Sequence, residues 1–278
     1  MPIGRIGDAA GQQAKIILYG ASGAGKTHLS SQLDHALILD FENGRLSMPP
    51  EVGLLSREDD PTAPVTPKEI NEAFESNPEQ VPSICIQCSS THQIGHVLTC
   101  LRNPKMRDRF NAIVIDSVTT LTEIVEDDVL RRYPTLVRSI VSSDGDRKGL
   151  LTQEGWLNVI ETVRRALVCF RDVPAHVVFT MHEETTELDD GRAFTRPKLR
   201  GKTLLPTFQA MVDFGFRIEI HAAKEGDNVS VRRRLRTQPD QNVWAKTRNY
   251  GGKLLQPFEL ADLRAVINKI AVGEKKDG

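Results

Sequence analysis

Gly20-Ala21-Ser22-Gly23-Ala24-Gly25-Lys26-Thr27 fits the pattern G-x-x-x-x-G-K-[ST] at every fixed position and follows the apolar run Ile16-Ile17-Leu18-Tyr19. The run reads as a buried strand, and the residues from Lys26 onward read as the start of a helix. Glycines at 20, 23 and 25 let the backbone curl so that successive N–H groups point inward beside the positive helix end. Such a loop cradles phosphates. Lys26 is expected to reach the β- and γ-phosphates of ATP as a point charge, and the Thr27 hydroxyl to ligate Mg²⁺.

The remainder of the chain bounds what such a loop can serve. With 278 residues, 39% hydrophobic and 26% charged, it can bury a large core and is neither disordered nor fibrous. A net charge of −1 excludes a generally basic nucleic-acid binder and leaves any such contact to local basic segments. The cysteines are Cys85, Cys88, Cys100 and Cys169; with no secretory leader in residues 1–11, they suit a reducing cytoplasm. Cys85 and Cys88 have CxxC spacing but no second pair and no nearby histidine doublet, so they read as strand cysteines. No apolar run approaches the ~20 residues that span a bilayer, so no membrane partner is expected.

Strands are expected at 14–19, 36–42, 83–88, 110–117 and 175–181, with helices at 27–33, 93–102, 121–132 and 154–170 between them. Residues 48–82 hold seven prolines (49, 50, 61, 64, 67, 78 and 82) and read as a surface excursion with one helix near 67–75 and no evident chemistry. Residues 142–149 and 185–202 read as polar loops. A short helix at 209–212, strands near 214–221 and 229–237, and a last helix at 259–270 complete the pattern. The alternation predicts an α/β fold, a mainly parallel sheet flanked by helices and ending in antiparallel strands. Residues 14–258 form this domain, preceded by a flexible 1–13 and followed by a C-terminal helix and charged tail at 259–278.

Several polar side chains are expected at the carboxyl edge of that sheet. Asp116 ends an apolar strand beside the phosphate loop, where a hard cation needs oxygen ligands. Asp40 and Glu42 end the neighbouring strand, and one of them can orient an attacking water. Thr180 or His182, at the end of 177–182, can sense the γ-phosphate. Lys246 and Arg248 share a face if extended, and two cations facing a phosphate stabilise the charge of the transition state.

Together these residues resemble the RecA-fold ATPases, in particular compact phage-encoded RecA-core proteins of single-strand annealing and recombination. Gly20–Thr27 resembles their phosphate loop, the Asp40-Phe41-Glu42 segment the one that supplies their catalytic glutamate, and 113–117 their metal-binding strand. Thr180-Met181-His182 stands where the family has its polar γ-phosphate sensor, which puts His182 at the nucleotide. Lys246-x-Arg248 is similar to the paired cations that reach into a neighbouring subunit's ATP. The resemblance covers residues 14–252 and implies an ATPase of the host cytoplasm, assembled as a homo-oligomeric ring or filament and able to meet a single-strand-binding protein.

It also implies that loops 142–149 and 183–202 bind single-stranded DNA. Arg192, Arg196, Lys198, Arg200 and Lys202 have no intervening acid, so each can neutralise a backbone phosphate, and Phe194 offers a ring for a base. The run 232–236 can extend the same basic track. A helicase-like motor or loader, and a regulatory P-loop ATPase that does not touch DNA, are the competing classes.

Overall fold

The computed structural model describes residues 13–55, 65–76, 83–141, 147–201, 203–225, 228–248 and 255–272. The phosphate-loop segment forms strand β1 (Lys15–Gly20) and helix α1 (Lys26–Ser31), followed by β2 (Ala36–Asp40) and the short edge strand β3 (Val52–Leu55). Helix α2 (Pro67–Ser76) leads to β4 (Ser83–Gln87), α3 (Thr91–Leu101), α4 (Pro104–Arg107) and β5 (Ala112–Asp116). Next come α5 (Val118–Arg132), a small hairpin of β6 (Val137–Val141) and β7 (Arg147–Leu151), and the long α6 (Gln153–Arg171). The chain continues through β8 (His176–Glu187), β9 (Ala193–Pro197), α7 (Leu204–Met211), β10 (Phe214–Glu225) and β11 (Asn228–Arg236). It closes with β12 (Lys246–Thr247), β13 (Phe258–Leu260) and α8 (Leu263–Val272).

The main sheet runs β13-β11-β10-β1-β8-β5-β2-β4-β3. Strands β10 through β3 pair in parallel, and β11, β12 and β13 are antiparallel additions. Apolar residues fill both faces of β1, β2 and β5 because helices cover the sheet on each side. Alternation sends Ile17, Tyr19, Leu39, Ile115 and Phe179 into one core with α3, α5, α6 and α7. Ile16, Leu18, Ile38, Val114, Val178 and Phe216 enter the other, with α1 and α8. Side-chain caps set helix starts: Ser117 Oγ accepts from Thr120 N at 3.3 Å at α5, and Thr152 Oγ1 accepts from Gly155 N at 3.1 Å at α6.

The structure revises several local expectations. Strand β2 ends at Asp40, so Glu42 lies in the following loop. The proline-rich excursion supplies an edge strand, β3, which pairs with β4; residues 56–64 and 77–82 lie outside the described residues. Of the expected loop 142–149, residues 142–146 also lie outside them, and 147–149 belong to β7. The expected loop 185–202 is largely a hairpin, since β8 runs on to Glu187 and pairs antiparallel with β9. Its threonines and Phe194 favour extended backbone, Thr185 and Thr195 hydroxyls meet at 3.1 Å, and Gly191 turns with φ 78°.

Beside this hairpin Trp244, whose backbone N–H donates to the Thr195 carbonyl at 2.9 Å, closes the core. Tyr19 Oη donates to the Trp244 carbonyl, the two rings lie 5.9 Å apart, and the indole covers Gly215 so closely that an added Cβ would come within 2.2 Å of it. Replacing Gly215 by Ala is expected to cost about 1–3 kcal/mol, the usual cost of forcing a methyl into a packed core, read as a lower midpoint in thermal denaturation.

Candidate nucleotide-binding site

Glycine geometry shapes the loop after β1. Gly23 and Gly25 sit at φ 74° and 99°, a region costly for other residues. Lys26 is buried, and its Nζ donates to the carbonyls of Gly20 at 3.1 Å and Ala21 at 3.0 Å. Burial lowers its pKa, against the opposing charges of Glu42 and Asp116. Thr27 Oγ1 donates to Asp116 Oδ2 at 2.6 Å, and Thr180 donates to the other carboxylate oxygen. Asp116 is wholly buried, and burial raises its pKa despite both hydroxyl bonds.

The expected Mg²⁺ pair therefore stands together. A hydroxyl and a carboxylate oxygen are hard donors, and Mg²⁺ commonly takes one or two protein oxygens and completes its shell with phosphates and water. Among the described residues no group of three or more His, Cys, Asp or Glu could hold a metal ion. Thr27 and Asp116 fit a shell shared with phosphates and water.

Loop 41–47 folds over that pair. A Cβ on Gly44 would lie 3.2 Å from Thr27 Cγ2 and 3.7 Å from Asp116 Oδ2, so a side chain there would press on Thr27. The acids at the end of β2 divide their tasks. Asp40 is buried, and its Oδ1 accepts from Glu42 N at 3.0 Å and Gly44 N at 3.1 Å, which bends the loop. Glu42 lines the cleft: its Oε1 receives His182 Nε2 at 2.9 Å, Thr120 Oγ1 at 3.0 Å and Ser117 Oγ. Burial alone would raise the Glu42 pKa; the His182, Ser117 and Thr120 hydrogen bonds overcome it and hold the group at about 2. Its other oxygen, Oε2, has no partner among the described residues.

Of the two expected sensors, Thr180 is buried on Asp116, whereas His182 lines the cleft on Glu42. The cleft, about 770 Å³, is also lined by Met48, Pro49 and Pro50 of the proline-rich segment. Arg233, read from sequence as part of a basic track, lines it too and donates Nε to the Ala24 carbonyl at 3.0 Å. Only the pairing of β11 with β10 brings it there.

Other expected site residues lie elsewhere. Lys246 and Arg248 stand beside the start of β10, level with the start of β1 and away from the phosphate loop. Lys246 Nζ caps α7, donating to Gln209 O and Val212 O at 2.7 Å each, and Arg248 pairs with Asp213 at 3.4 Å. The structure engages both cations within their own chain. The basic stretch without an intervening acid finds its acids in space: Arg192 pairs with Asp190 at 2.6 Å, Arg196 with Glu184 at 2.8 Å, and Arg200 with Glu126. Lys198 is exposed with no side-chain partner among the described residues, Phe194 is half-buried, and Lys202 lies outside those residues.

Phosphate loop, buried Asp116 and loop-borne Glu42, at the carboxyl ends of the parallel strands β1, β5 and β2, define a P-loop nucleoside triphosphatase. The chain belongs to the family described as "AAA domain", whose match spans residues 12–249. Similar solved structures include the flagellar accessory protein FlaH from Methanocaldococcus jannaschii, at 10% identity over 84% of this chain and 81% of that one, with a TM-score of 0.35. A KaiC-like protein, PH0186, from Pyrococcus horikoshii OT3 matches at 11% identity over 84% and 83%, TM-score 0.38. An ATPase of the type III secretion system of pathogenic bacteria matches at 15% over 74% of this chain and 51% of its own, TM-score 0.38. Likenesses of this size speak to neither substrate nor partner. No curated protein matches the chain.

Because the Glu42 carboxyl is held below its ordinary 4.5, it stabilises the fold above that pH, and the contribution is lost as pH falls from about 4.5 towards about 2. Its size at neutral pH is on the order of 2–3 kcal/mol. The denaturant stability gap between the wild type and Glu42→Gln should be present at pH 7 and close as pH approaches 2.

Proposed function

We propose that the protein hydrolyses Mg²⁺-ATP and couples the nucleotide state to the β8–β9 hairpin, where single-stranded DNA is the load, in recombination or annealing. The observation that carries the ATPase reading is the Glu42 carboxylate, polarised on Oε1 by three donors beside the Thr27–Asp116 pair. Glu42 orients a water towards the γ-phosphate. Lys26 moves from its loop carbonyls onto the phosphates and offsets the charge that develops on the transferring group. Thr27 and Asp116 would hold Mg²⁺, which would supply positive charge against the phosphates.

His182 supplies the link. Its ring holds Glu42, its carbonyl accepts from Lys198 N at 2.7 Å, and its amide donates to Thr119 Oγ1 at 3.2 Å. A shift of Glu42 on phosphate release thus pulls on the strand that carries the hairpin. Arg196, Lys198 and Arg200 then offer cations to a phosphate backbone, and Phe194 a stacking ring. The ion pairs of Arg192, Arg196 and Arg200 favour a second reading, a nucleotide switch that leaves DNA alone.

Turnover measured with and without single-stranded DNA separates the two: stimulation supports the first, indifference the second. Lys26→Ala should cut hydrolysis by at least about a hundredfold with the fold intact, and Glu42→Gln should bind ATP and stall. Neutralising Arg196, Lys198 and Arg200 together should weaken DNA binding and lower the salt slope by about 0.7 per lost phosphate contact. An unchanged slope moves the DNA elsewhere.

A further inference from the structure

The sheet order gives the cleft a direction. Glu42 and Gly44 follow β2, Asp116 ends β5 and His182 lies on β8, all to one side of β1, and all at the reacting end of a bound triphosphate. Arg233 stands on the other side, on β11, and is the cleft-lining residue contributed by the β10–β11 hairpin. With the γ-phosphate at Thr27, Asp116 and Glu42, the opposite end of the nucleotide leaves the loop over Ala24 and Gly25, where Arg233 lies. A Cβ on Gly25 would meet the Arg233 Nε at 3.3 Å.

One face of the hairpin continues from the core into that space. Ile218 and Leu235, a cross-strand pair, are buried with Ala24 and Leu29 of the α1 side. Two residues further along each strand, on the same face, come Ile220 and its partner Arg233, and then Val231 opposite Ala222. Exposure rises along this row: Ile218 is 3% exposed, Ile220 50% and Val231 66%. Aliphatic side chains left open beside a phosphate cradle, next to a planar guanidinium, match the chemistry of a nucleobase, which presents apolar faces and stacks on arginine.

We propose that Arg233, Ile220 and Val231 form the seat for the nucleoside end of the nucleotide. This rests on the P-loop reading of the cradle. Of the three side chains that make the seat, Arg233 alone is polar, so the seat holds a base by contact area and has little means to read its edge. A site without a fitted hydrogen-bonding partner discriminates weakly between bases.

Calorimetric titration of the full chain with Mg²⁺-ATP and with Mg²⁺-tripolyphosphate, which has the phosphates and no nucleoside, tests it. Ile220→Asn/Val231→Asn changes two exposed positions and should lower ATP affinity by about tenfold, a loss of apolar contact. Tripolyphosphate affinity should not move. Wild-type affinities for ATP, GTP and CTP should fall within about tenfold of one another. Equal losses for both ligands, no loss for ATP, or a preference beyond about a hundredfold for one base overturns the seat. A variant that alters only the oligomeric state assigns the face to a second copy of the chain and overturns it too. Wild type that binds both ligands equally well refutes the seat alone, whereas wild type that binds neither refutes the cradle itself.

Discussion

Asp116 is the point to which the site is tied. Its carboxylate is wholly buried at the end of β5 and receives hydroxyls from α1 through Thr27 and from β8 through Thr180. A buried carboxylate without partners is costly, so these bonds fix the helix behind the phosphate loop and two parallel strands at one register. Gly44 packs on the same pair, which brings the loop bearing Glu42 into place. Burial raises the Asp116 pKa, against the hydroxyl bonds from Thr180 and Thr27 that favour the ionised form.

Asp40 and Glu42 show how two acids two residues apart acquire opposite properties. Asp40 faces inward, where burial raises its pKa against the backbone N–H groups of Gly44 and Glu42. Glu42 sits at the cleft, and three side-chain donors hold it at about 2. One carboxylate shapes the turn and the other lines the cleft. The turn that Asp40 bends is the one that carries Glu42, so an error in the turn displaces Glu42.

The phosphate loop, the parallel sheet and Asp116 were legible in the sequence because each is a local pattern: fixed spacing, an apolar run, an acid at a strand end. What separates Glu42, named through the resemblance, from Asp40 was not legible, since it depends on the backbone amides that Asp40 accepts. The hairpin at 183–197 reads as a polar loop because its two-residue period is masked by charges on both faces. Its basic track meets acids in the fold that the run itself lacks: Glu184 faces Arg196 across the hairpin, and Glu126, far away in sequence, pairs with Arg200. Arg233 was hidden for the same reason. In Arg232-Arg233-Arg234-Leu235-Arg236 the alternation is plain, but which parity faces the phosphate loop follows from the β10–β11 register alone.

That register also sets how the two projecting hairpins relate. Strand β1 stops at Gly20, while β8 and β10 on either side of it run on past the sheet edge. Behind the phosphate loop they are joined by Arg217 and Glu183, whose Nε and Oε2 lie 2.9 Å apart with each side chain less than a quarter exposed. Glu219 draws in Arg234 at 2.9 Å and Arg236 at 2.5 Å, so the network reaches both strands of the second hairpin. An ion pair screened from water is stronger and more demanding of geometry than one on an open surface. Displacement of either hairpin must therefore carry the other or break the pair. One hairpin leaves the strand bearing His182 and the other bears Arg233, so the cleft is spanned by a charged tie between the elements at its two ends.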